Sequence, residues 1–578
     1  MIRIDQIKIK VGNKQPDIKG AVCSILKISS SDINEFGIIR RSLDARKKPE
    51  LFYVFSVWAD CVNEEKILKR NSRNANISSY RKKEYVLPHC GNEELTDRPV
   101  VVGMGPAGLF CAYELAKAGF KPLVIERGRC VEDRAADVER FWETGVLDTN
   151  SNVQFGEGGA GTFSDGKLST SIKDKEGRIG EVLKTFVENG APEEILYDHM
   201  PHLGTDILPQ IVKSIREKII ALGGEVRFES CLTGIEDKSG NVSSIIVRNK
   251  DGSTEKIGTS VLALAIGHSA RDTYLSLYDS GLKMEQKPFA AGFRVQHPQS
   301  IINENQYGDC KYADVLGASP YKLTANFGDR GVFSFCMCPG GYVVNSSSEE
   351  GETVVNGMSY SGRDSENANS AIVVSIPVSD YPSDHPLAGI EYQRGLERRA
   401  FEAAGGKIPA QRYGDFKEKV SELGDGSSVH PEVVNAETAP SFAVDPVLSQ
   451  GDCPCDSNCE PGAASSFTVS PVFKGEYEWA DLTRIFDDNI NKLFVDGMTR
   501  FGRTIAGFDS PETIMAGVES RTSSPVRIPR DESLEASIRG IIPLGEGAGF
   551  AGGITSAAID GIRGAEMIIR KYAVTNMV

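Results

Sequence analysis

Three glycines at a fixed spacing follow a short apolar stretch near residue 100. The segment reads VVVGMGPAG, in which Gly103, Gly105 and Gly108 form the pattern Gly-x-Gly-x-x-Gly. The first glycine permits a tight turn, the second lets a pyrophosphate approach the backbone, and the third lets a helix pack on the strand. Pro106 and Ala107 suit the first turn of that helix, whose N-terminus attracts negative charge. The spacing therefore predicts a dinucleotide site.

A carboxylate follows the glycines at the distance that such a site needs. A second apolar strand is predicted at 121–125, and it ends at Glu126, which is 18 residues after Gly108. A ribose-binding carboxylate is expected about 20 residues after the glycines. Arg127 comes next in the chain, and we predict that both charged residues contact the cofactor. The strand, the glycines and the acid together indicate an adenine dinucleotide.

A glycine-rich segment, GEGGAGTFSDGKL, occupies residues 156–168. Glycines among small and hydroxyl-bearing residues bring many backbone amides close to a ligand. A flexible surface loop is the alternative interpretation. The cofactor contacts predicted in this segment are Gly158, Gly159, Ala160, Gly161 and Thr162.

The far end of the chain has a second strand, glycine-rich turn and helix. Residues 541–544 form a short apolar strand, and an acid and several glycines then lead into a predicted helix. A nicotinamide-only Rossmann domain has no need of this element, so its presence favours FAD. The cofactor contacts predicted here are Gly545, Glu546, Gly552, Gly553 and Ile554.

These elements resemble those of flavoproteins of the glutathione reductase and fumarate reductase type. Glu546 resembles the carboxylate that reaches the ribityl chain in that family, although the family residue is usually Asp. The helix start at 552–554 resembles the one that faces the isoalloxazine and stabilises negative charge there. Leu232 resembles a residue whose backbone touches the adenine, and Gly267 resembles the glycine at which the chain leaves the FAD domain.

Four long strings extend the resemblance to nearly the whole chain, except about residues 420–465. They are GEGGAGTFSDGKL, CMCPGGYVVNSSSE, NGMSYSGRDSENANSAIVV and GVESRTSSPVRIPRD. On these strings the chain is similar to the family of FAD-dependent dehydrogenases often labelled NAD(FAD)-utilising dehydrogenases. The resemblance implies an α/β fold and an FAD cofactor, but no particular reaction.

The pattern predicts three domains, one of them interrupted. Residues 96–286 and 518–578 form the two parts of a Rossmann-like FAD-binding domain. Residues 287–517 form an inserted α+β substrate domain, which contains a polar linker at 421–466. A small module at 1–95 precedes them. Its alternation of strand, helix, strand, strand, helix and strand, with the last strand at 84–87, fits a ferredoxin-like α+β fold.

The first module differs from the rest of the chain in charge. It carries 18 basic and 12 acidic residues, a balance of +6, whereas the whole chain has a net charge of −15. Its basic runs at 40–41 and 46–48 could contact RNA, but a solvated surface or a contact with the acidic body is the favoured interpretation. The acidic body disfavours a nucleic-acid partner.

Residues of the insert and of the 156–168 segment should line the active site where the insert covers the flavin. We predict Lys167, Arg294 and His297 as catalytic residues, because positive groups would bind an anionic substrate or stabilise the reduced flavin. Cys336 and Cys338 belong to the same predicted wall. A packing histidine and small buried thiols are the alternative interpretations.

The cysteines predict no metal site. The segment CPCDSNC at 453–459 holds three thiols, but a structural zinc needs four ligands and no fourth is evident nearby. The Cys-x-x-x-x-Cys pair of disulfide-reductase flavoproteins is also missing after Glu126, which argues against dithiol chemistry at that position.

Composition indicates an enzyme of the cytoplasm. No signal peptide and no apolar run of about 18 residues is present, so neither export nor a membrane partner is expected. The scattered cysteines fit free thiols in a reducing compartment.

The leading hypothesis is an oxidoreductase that transfers a hydride between flavin N5 and a small organic substrate. No second dinucleotide fingerprint is visible, so no separate NAD(P)H domain is expected. Electrons could still come from a transiently bound NAD(P)H or from the organic substrate, or leave to oxygen or a quinone. The two rival hypotheses are a flavoprotein that acts on RNA through the basic module and a flavin-binding sensor without turnover.

Overall fold

The computed structural model describes residues 1–12, 15–308, 312–422 and 467–574. The CPCDSNC segment, and with it the expectation of no zinc site, lies outside the described residues. Within the described ranges, no helix is both long and apolar enough to span a membrane.

The first module is a ferredoxin-like α+β fold, as predicted. Its elements are β1 (Ile2–Lys10), α1 (Ile18–Leu26), β2 (Ile33–Asp44), β3 (Phe52–Cys61), α2 (Glu64–Arg70) and β4 (Ile77–Ser79). The sheet is antiparallel with strand order β2-β3-β1-β4. Alternate residues of β1 and β3, such as Ile4 and Val57, point into the core beneath the two helices.

The last strand of this module lies earlier than predicted. The prediction of a strand at 84–87 is wrong, because Ile77 fills the remaining edge of the sheet instead. Tyr85 and Leu87 are partly buried against the core of the next domain. The chain then runs along the C-terminal helix, where the Gly91 N–H donates to the carbonyl of Ile569 at 2.8 Å.

The next region contains the first half of the dinucleotide fold. Its strands are β5 (Val100–Val102), β6 (Leu123–Ile125), β7 (Glu225–Arg227), β8 (Cys231–Lys238), β9 (Asn241–Arg248), β10 (Thr254–Gly258) and β11 (Leu262–Leu264). Its helices are α3 (Pro106–Lys117), α4 (Val131–Thr144), α5 (Arg178–Val187), α6 (Leu208–Ala221) and α7 (Arg271–Asp279). The chain leaves the main sheet after β7 and enters a small antiparallel sheet at β8, which contains Leu232.

The insert is built on a seven-stranded sheet. From residue 285 onward the strands, seven of which form this sheet, are β12 (Glu285–Gln286), β13 (Phe289–Pro298), β14 (Thr324–Phe327), β15 (Arg330–Cys338), β16 (Tyr342–Asn345), β17 (Val355–Met358), β18 (Asn367–Ile376), β19 (Ile408–Arg412), β20 (Phe473–Lys474), β21 (Tyr477–Trp479) and β22 (Ile514–Glu519). Its helices are α8 (Gln299–Tyr307), α9 (Ala313–Leu316), α10 (Ala388–Ala404), α11 (Tyr413–Glu422) and α12 (Asp488–Gly502). The strand order of the large sheet is β14-β15-β18-β13-β22-β19-β21.

Helices α10, α11 and α12 cover the large sheet with apolar side chains. The Phe293 ring on β13 lies 5.6 Å from the Phe416 ring and 5.3 Å from the Phe494 ring, both in edge-to-face geometry. Such aromatic pairs add to the free energy gained by burying apolar area. Strand β22 crosses the predicted domain boundary at residue 517, so the sheet of the insert continues two residues past it.

The chain returns to the dinucleotide fold at its C-terminal end, through β23 (Val526–Arg527), β24 (Ile541–Pro543) and α13 (Ile554–Lys571). The main sheet is parallel, with strand order β24-β11-β5-β6-β7. A Cβ added at Gly561 would lie 2.1 Å from the carbonyl oxygen of Ala107, so α13 and α3 pack at backbone distance. This is the predicted Rossmann-like domain, interrupted by an α+β insert.

Candidate cofactor site and adjoining cavity

The glycine turn after β5 leaves no room for side chains except on one side. Gly103 has φ of +94°, and a Cβ there would lie 2.3 Å from the carbonyl oxygen of Ala265. A Cβ at Gly108 would lie 1.8 Å from the carbonyl oxygen of Gly103. By contrast, the nearest atom to a Cβ at Gly105 is Cα of Gly159, at 3.7 Å. The space beside Gly105 is therefore open to a ligand, as the sequence predicts.

Three helical segments begin at glycines around this space. Helix α3 follows Gly105, a 3-10 turn at Ala160–Phe163 follows Gly159, and α13 follows Gly553. In the described part of the chain, no side chain caps any of these three starts. Uncapped N-terminal N–H groups and the helix dipole favour a bound anion.

The Glu126 carboxylate joins the two glycine loops. Its Oε2 accepts the N–H of Met104 at 2.8 Å, and its Oε1 accepts those of Gly128 at 2.9 Å and Gly156 at 3.0 Å. The residue is only 5% exposed. Because an ionised carboxylate can accept about four hydrogen bonds, one position remains for a ribose hydroxyl. The predicted ribose contact thus fits, and the same group also organises the protein.

A buried arginine supports the second loop from beneath. Arg134 donates to the carbonyls of Asn152, Val153, Gly156, Glu157 and Gly159 at 2.6–3.3 Å. It has no exposed surface. The sequence prediction missed this residue, although it lies on the apolar stripe of α4 with Val131 and Val138. A charged residue at such a position signals a buried polar partner.

Arg127 and Leu232 lie together at the predicted adenine end. The Arg127 guanidinium donates to Asp272 at 2.8 Å and to the Thr273 hydroxyl at 2.7 Å, and it stacks over the Phe155 ring at 4.4 Å. The Thr273 hydroxyl in turn donates to the carbonyl of Leu232 at 3.4 Å. The start of α7 therefore connects the two residues.

The C-terminal turn is fixed by a buried ion pair. The N–H of Gly545 donates to Asp560 at 2.9 Å, and the Asp560 carboxylate accepts two bonds from Arg530 at 2.7 and 2.9 Å. Oε1 of Glu546 lies 3.5 Å from Nδ1 of His268. Among the described residues, the buried Nε2 of His268 has no hydrogen-bond partner. A buried polar atom without a partner at this position is consistent with a ligand.

Backbone from four segments converges on one cleft. A Cβ at Gly159 would lie 2.9 Å from Cα of Gly105, and one at Gly161 would lie 3.0 Å from the Ile554 side chain. Similarly, a Cβ at Gly547 would lie 2.7 Å from the carbonyl oxygen of Gly267. Gly552 and Gly553, at the start of α13, are exposed. The arrangement fits an extended dinucleotide such as FAD. The individual contacts predicted for these residues stay predictions.

A cavity of about 1650 Å³ is lined by the first module, by residues of the FAD domain between 167 and 201, and by the insert. Leu168 and Thr170 line it. The Thr555 hydroxyl donates to the Leu168 carbonyl at 2.8 Å, and the hydroxyls of Thr170 and Ser556 are 2.8 Å apart. Because Thr555 and Ser556 belong to the first turn of α13, the cavity wall is fastened to the helix start that the cofactor should face.

The first module contributes part of the cavity wall and docks on the FAD domain with its basic run. Arg41 forms two hydrogen bonds to Asp198 at 2.6 and 2.8 Å, and its N–H donates to the carbonyl of Tyr197 at 2.7 Å. Lys48 donates to the carbonyl of Asn305 on the insert. A contact between the basic run and the body of the protein, the favoured interpretation of the sequence, is therefore present.

The lining of the cavity has an excess of positive charge. Its acidic members are Asp198 and Asp329. Its basic members are Arg3, Arg40, Lys48, Lys167, Lys322 and Arg330. The excess contrasts with the net charge of −15 of the whole chain.

Of the three predicted catalytic residues, Lys167 lines the cavity. Its ammonium lies 3.6 Å from Asp165 and donates to the carbonyl of Met337. Arg294 is completely buried, and its Nε donates to Glu519 at 2.8 Å.

His297 is buried as well. Its Nε2 lies 2.7 Å from the carbonyl oxygen of Phe508, its ring stacks on the Phe508 ring, and burial lowers its pKa to about 4. Arg294 and His297 do not line the cavity. A direct catalytic contact for these two stays a prediction.

A buried charge cluster joins the FAD domain to the insert, and the sequence prediction missed it. Arg271 on α7 donates to Glu397 on α10 at 2.6 Å, and Arg521 donates to the same carboxylate at 2.8 Å. All three residues are buried. Partners more than 100 residues apart leave no local pattern, so spacing could not have identified them.

The chain matches known families along most of its length. Residues 288–446 and 459–522 match the family described as FAD-dependent protein, C-terminal domain-like, and residues 101–151 match an NAD(P)-binding Rossmann-like domain. Residues 1–59 match a domain of unknown function. An uncharacterised protein of Clostridium beijerinckii is 43% identical over 579 residues, which cover 99% of each chain.

Among solved structures, a geranylgeranyl bacteriochlorophyll reductase-like protein of Thermoplasma acidophilum is 12% identical, with a TM-score of 0.33, over 82% of this chain and 78% of that one. The glycerol-3-phosphate dehydrogenase of Bacillus halodurans, complexed with FAD, is 11% identical, with a TM-score of 0.25, over 50% of this chain and 48% of that one. With the family matches and the relative that spans its length, this chain belongs to the family of FAD-dependent proteins, and FAD is its cofactor.

Proposed function

We propose that this FAD-dependent oxidoreductase transfers a hydride between flavin N5 and an organic substrate held in the cavity. The observation that carries the proposal is the attachment of the cavity wall to the first turn of α13, through the hydrogen bond from Thr555 to Leu168 at 2.8 Å. FAD supplies two-electron redox chemistry when it is bound. The residues of the chain bind and orient the reactants and exclude water.

The helix start at α13 supports this proposal electrostatically. Gly552 and Gly553 leave the N-terminal N–H groups accessible, and the helix dipole places partial positive charge there. Such a site stabilises negative charge that develops during reduction of a bound group. Glu126 and Glu546 would hold the two ends of the dinucleotide as hydrogen-bond acceptors.

The cavity indicates the class of substrate. Apolar side chains such as Leu168, Phe289 and Phe333 form its walls, and basic residues outnumber acidic ones in its lining. A substrate with an apolar body and an anionic group complements both properties. The volume also exceeds the range of about 300–1000 Å³ that is usual for one small ligand. A nicotinamide nucleotide acting as a transient donor could therefore enter the same space.

Lys167 is the residue that we propose to bind the anionic group of the substrate. Its side chain is 31% exposed, so it reaches the cavity while Asp165 and the Met337 carbonyl fix its direction. Losing a hydrogen bond to a charged group costs about 1.5–3 kcal/mol. This cost corresponds to a roughly 10- to 150-fold loss of affinity.

The test uses the purified holoprotein under argon. NADH, NADPH and a panel of organic acids are mixed with it in turn, and rapid loss of the oxidised-flavin absorbance identifies the donor. If no compound of either class reduces the flavin, the hydride-transfer proposal is wrong.

The substrate class is tested by perturbation of the flavin spectrum. Phenylbutyrate should bind at least about tenfold more tightly than its neutral amide, and Lys167→Met should abolish this preference. Lys66→Met, on the exposed face of α2, is the matched control and should preserve it. Equal affinity for the acid and the amide in the parent protein would contradict the proposed substrate class.

A further inference from the structure

Cys336 and Cys338 occupy a distortion of β15 at the edge of the cavity. The pairing of β15 with β18 shifts register between Phe335 and Cys338, and Cys336 has φ of +44°. Left-handed backbone is uncommon for a residue with a side chain and concentrates at functional sites. Cys336 is partly exposed and lines the cavity, whereas Cys338 is buried directly behind it.

The two thiols are close enough to interact. The Cys338 thiol donates a hydrogen bond to the carbonyl oxygen of Cys336 at 3.2 Å. Only Met337 separates the two cysteines along β15, and both lie in the distorted part of this strand.

Positive groups surround this pair. The Arg294 guanidinium lies 3.1 Å from the Cys336 carbonyl oxygen and 3.9 Å from the Cys338 Sγ. Lys167 donates to the carbonyl of Met337, between the two cysteines. The acidic groups nearby are Asp165, which pairs with Lys167 at 3.6 Å, and Glu519, which pairs with Arg294 at 2.8 Å. Each acid is thus matched by a cation.

This setting gives the two thiols opposite character. The neighbouring Cys338 thiol, together with the charges of Lys167 and Arg294, lowers the pKa of Cys336 to about 5. Burial, and then the charge of Cys336, raises the pKa of Cys338 well above its usual range. An exposed thiolate with a protonated thiol behind it is the arrangement of an attacking and a resolving cysteine.

We propose that Cys336 and Cys338 form a redox-active dithiol, which reduces organic disulfides that enter the cavity. The Cys336 thiolate attacks one sulfur of the disulfide, forms a mixed disulfide and releases one thiolate. Cys338 gives its proton to that thiolate and attacks the Cys336 sulfur, which releases the second thiolate. Two electrons pass to the substrate, and the protein gains an intramolecular disulfide.

This dithiol differs in location from the pair of the disulfide-reductase flavoproteins. Those enzymes carry a Cys-x-x-x-x-Cys pair soon after the ribose-binding acid, where this chain has Cys130 but no such pair. Here the cysteines come from the insert, and Cys336 lines the cavity. The exchange uses only sulfur chemistry, so its test is independent of any donor that reduces the flavin.

The first experiment measures alkylation of the holoprotein by iodoacetamide, residue by residue, with peptide mass spectrometry. Cys130 is the internal control, because it is also partly exposed but burial raises its pKa. The pKa of Cys336 is about 5 and that of Cys130 is raised above its ordinary value, so at pH 6 the thiolate fraction of Cys336 should exceed that of Cys130 by at least about 1000-fold. A thiolate of low pKa is also less nucleophilic, which reduces the rate advantage of Cys336 by a factor of about 40–100. Cys336 should therefore react at least about tenfold faster, and equal rates would overturn the proposal.

The second experiment follows the dithiol itself. Both cysteines lie on one tryptic peptide, 331–363, which contains no other cysteine. After anaerobic treatment with hydroxyethyl disulfide and quenching in acid, this peptide should carry an internal disulfide in the parent protein. Cys338→Ser should stop the reaction at a mixed disulfide on Cys336, and Cys336→Ser should leave Cys338 reduced.

Two outcomes would overturn the resolving role of Cys338. One is a mixed disulfide that persists in the parent protein, and the other is a Cys338 that reacts equally well without Cys336. Flavin content, measured in each variant, shows that the FAD domain remains folded. Both cysteine experiments can give the expected result even if no donor reduces the flavin. Failure of the dithiol proposal and failure of the proposed hydride transfer are therefore distinguishable.

Discussion

Replacing Glu126 by Gln separates its two roles. The amide keeps one oxygen, which can still accept from Gly128 and Gly156, but turns an N–H₂ group toward the Met104 N–H. The Met104 bond exists with or without the cofactor, so its loss lowers the stability of both states and cancels from the affinity. Only a bond to the ribose enters the dissociation constant. Losing a charged acceptor there costs about 1.5–3 kcal/mol, which is a roughly 10- to 150-fold weaker Kd for FAD.

The assay is quenching of FAD fluorescence on titration with apoprotein, together with the melting temperature of the apoprotein. Glu139→Gln, on the exposed face of α4, is the matched control and should change neither quantity. We expect Glu126→Gln to lower the melting temperature and to weaken FAD binding. A lower melting temperature with a Kd within about threefold of the parent would refute the ribose contact, because Glu126 would then serve only to join the loops.

Three further predictions address the parts around the site. Removing residues 1–80 should leave a protein with a full FAD content, measured after acid release, because the cofactor segments begin at Val100. Removing residues 1–95 should instead give an unfolded protein without FAD, because Tyr85 and Leu87 are then lost from the core of the FAD domain. Arg134→Met should cut the FAD content of the purified protein by more than half, because five loop carbonyls lose their donor. Burial raises the pKa of Glu114 to about 7, so the folded state holds this proton more tightly than the unfolded state, and the protein loses stability as pH rises from about 4.5 to 7. This loss amounts to at most about 3 kcal/mol of unfolding free energy. Glu114→Gln should therefore reduce the fall in melting temperature between pH 5 and pH 8.

The sequence predicts the cofactor fold well because its signals are local. A glycine turn, the helix after it and the acid at the end of the next strand lie within 30 residues, and each has one dominant physical reason. The α/β fold, the interrupted Rossmann-like domain and FAD were predicted in this way. The ferredoxin-like module was also predictable, except that its last strand was placed at 84–87 where the apolar side chains serve a different core.

The substrate side was less predictable because its residues meet through long-range packing. Lys167, Arg294 and His297 were chosen for their chemistry, but only burial separates the first from the other two. In the sequence, Cys336 and Cys338 are equally compatible with small buried apolar residues. Only the structure shows that the bulge in β15 places Cys336 at the cavity. The cluster of Arg271 and Glu397 joins two domains and leaves no trace in either local sequence.

The strand order of the main sheet has a consequence for synthesis of the protein. Strand β24 pairs with β11, although the whole insert is translated between them. A nascent chain therefore finishes the large sheet of the insert, at β22, before the FAD domain receives its last edge strand and the start of α13. Domains that complete early can fold while translation continues. FAD binding should accordingly follow the folding of the insert. It requires that the chain has been synthesised beyond residue 554 and that the two parts of the interrupted domain have assembled.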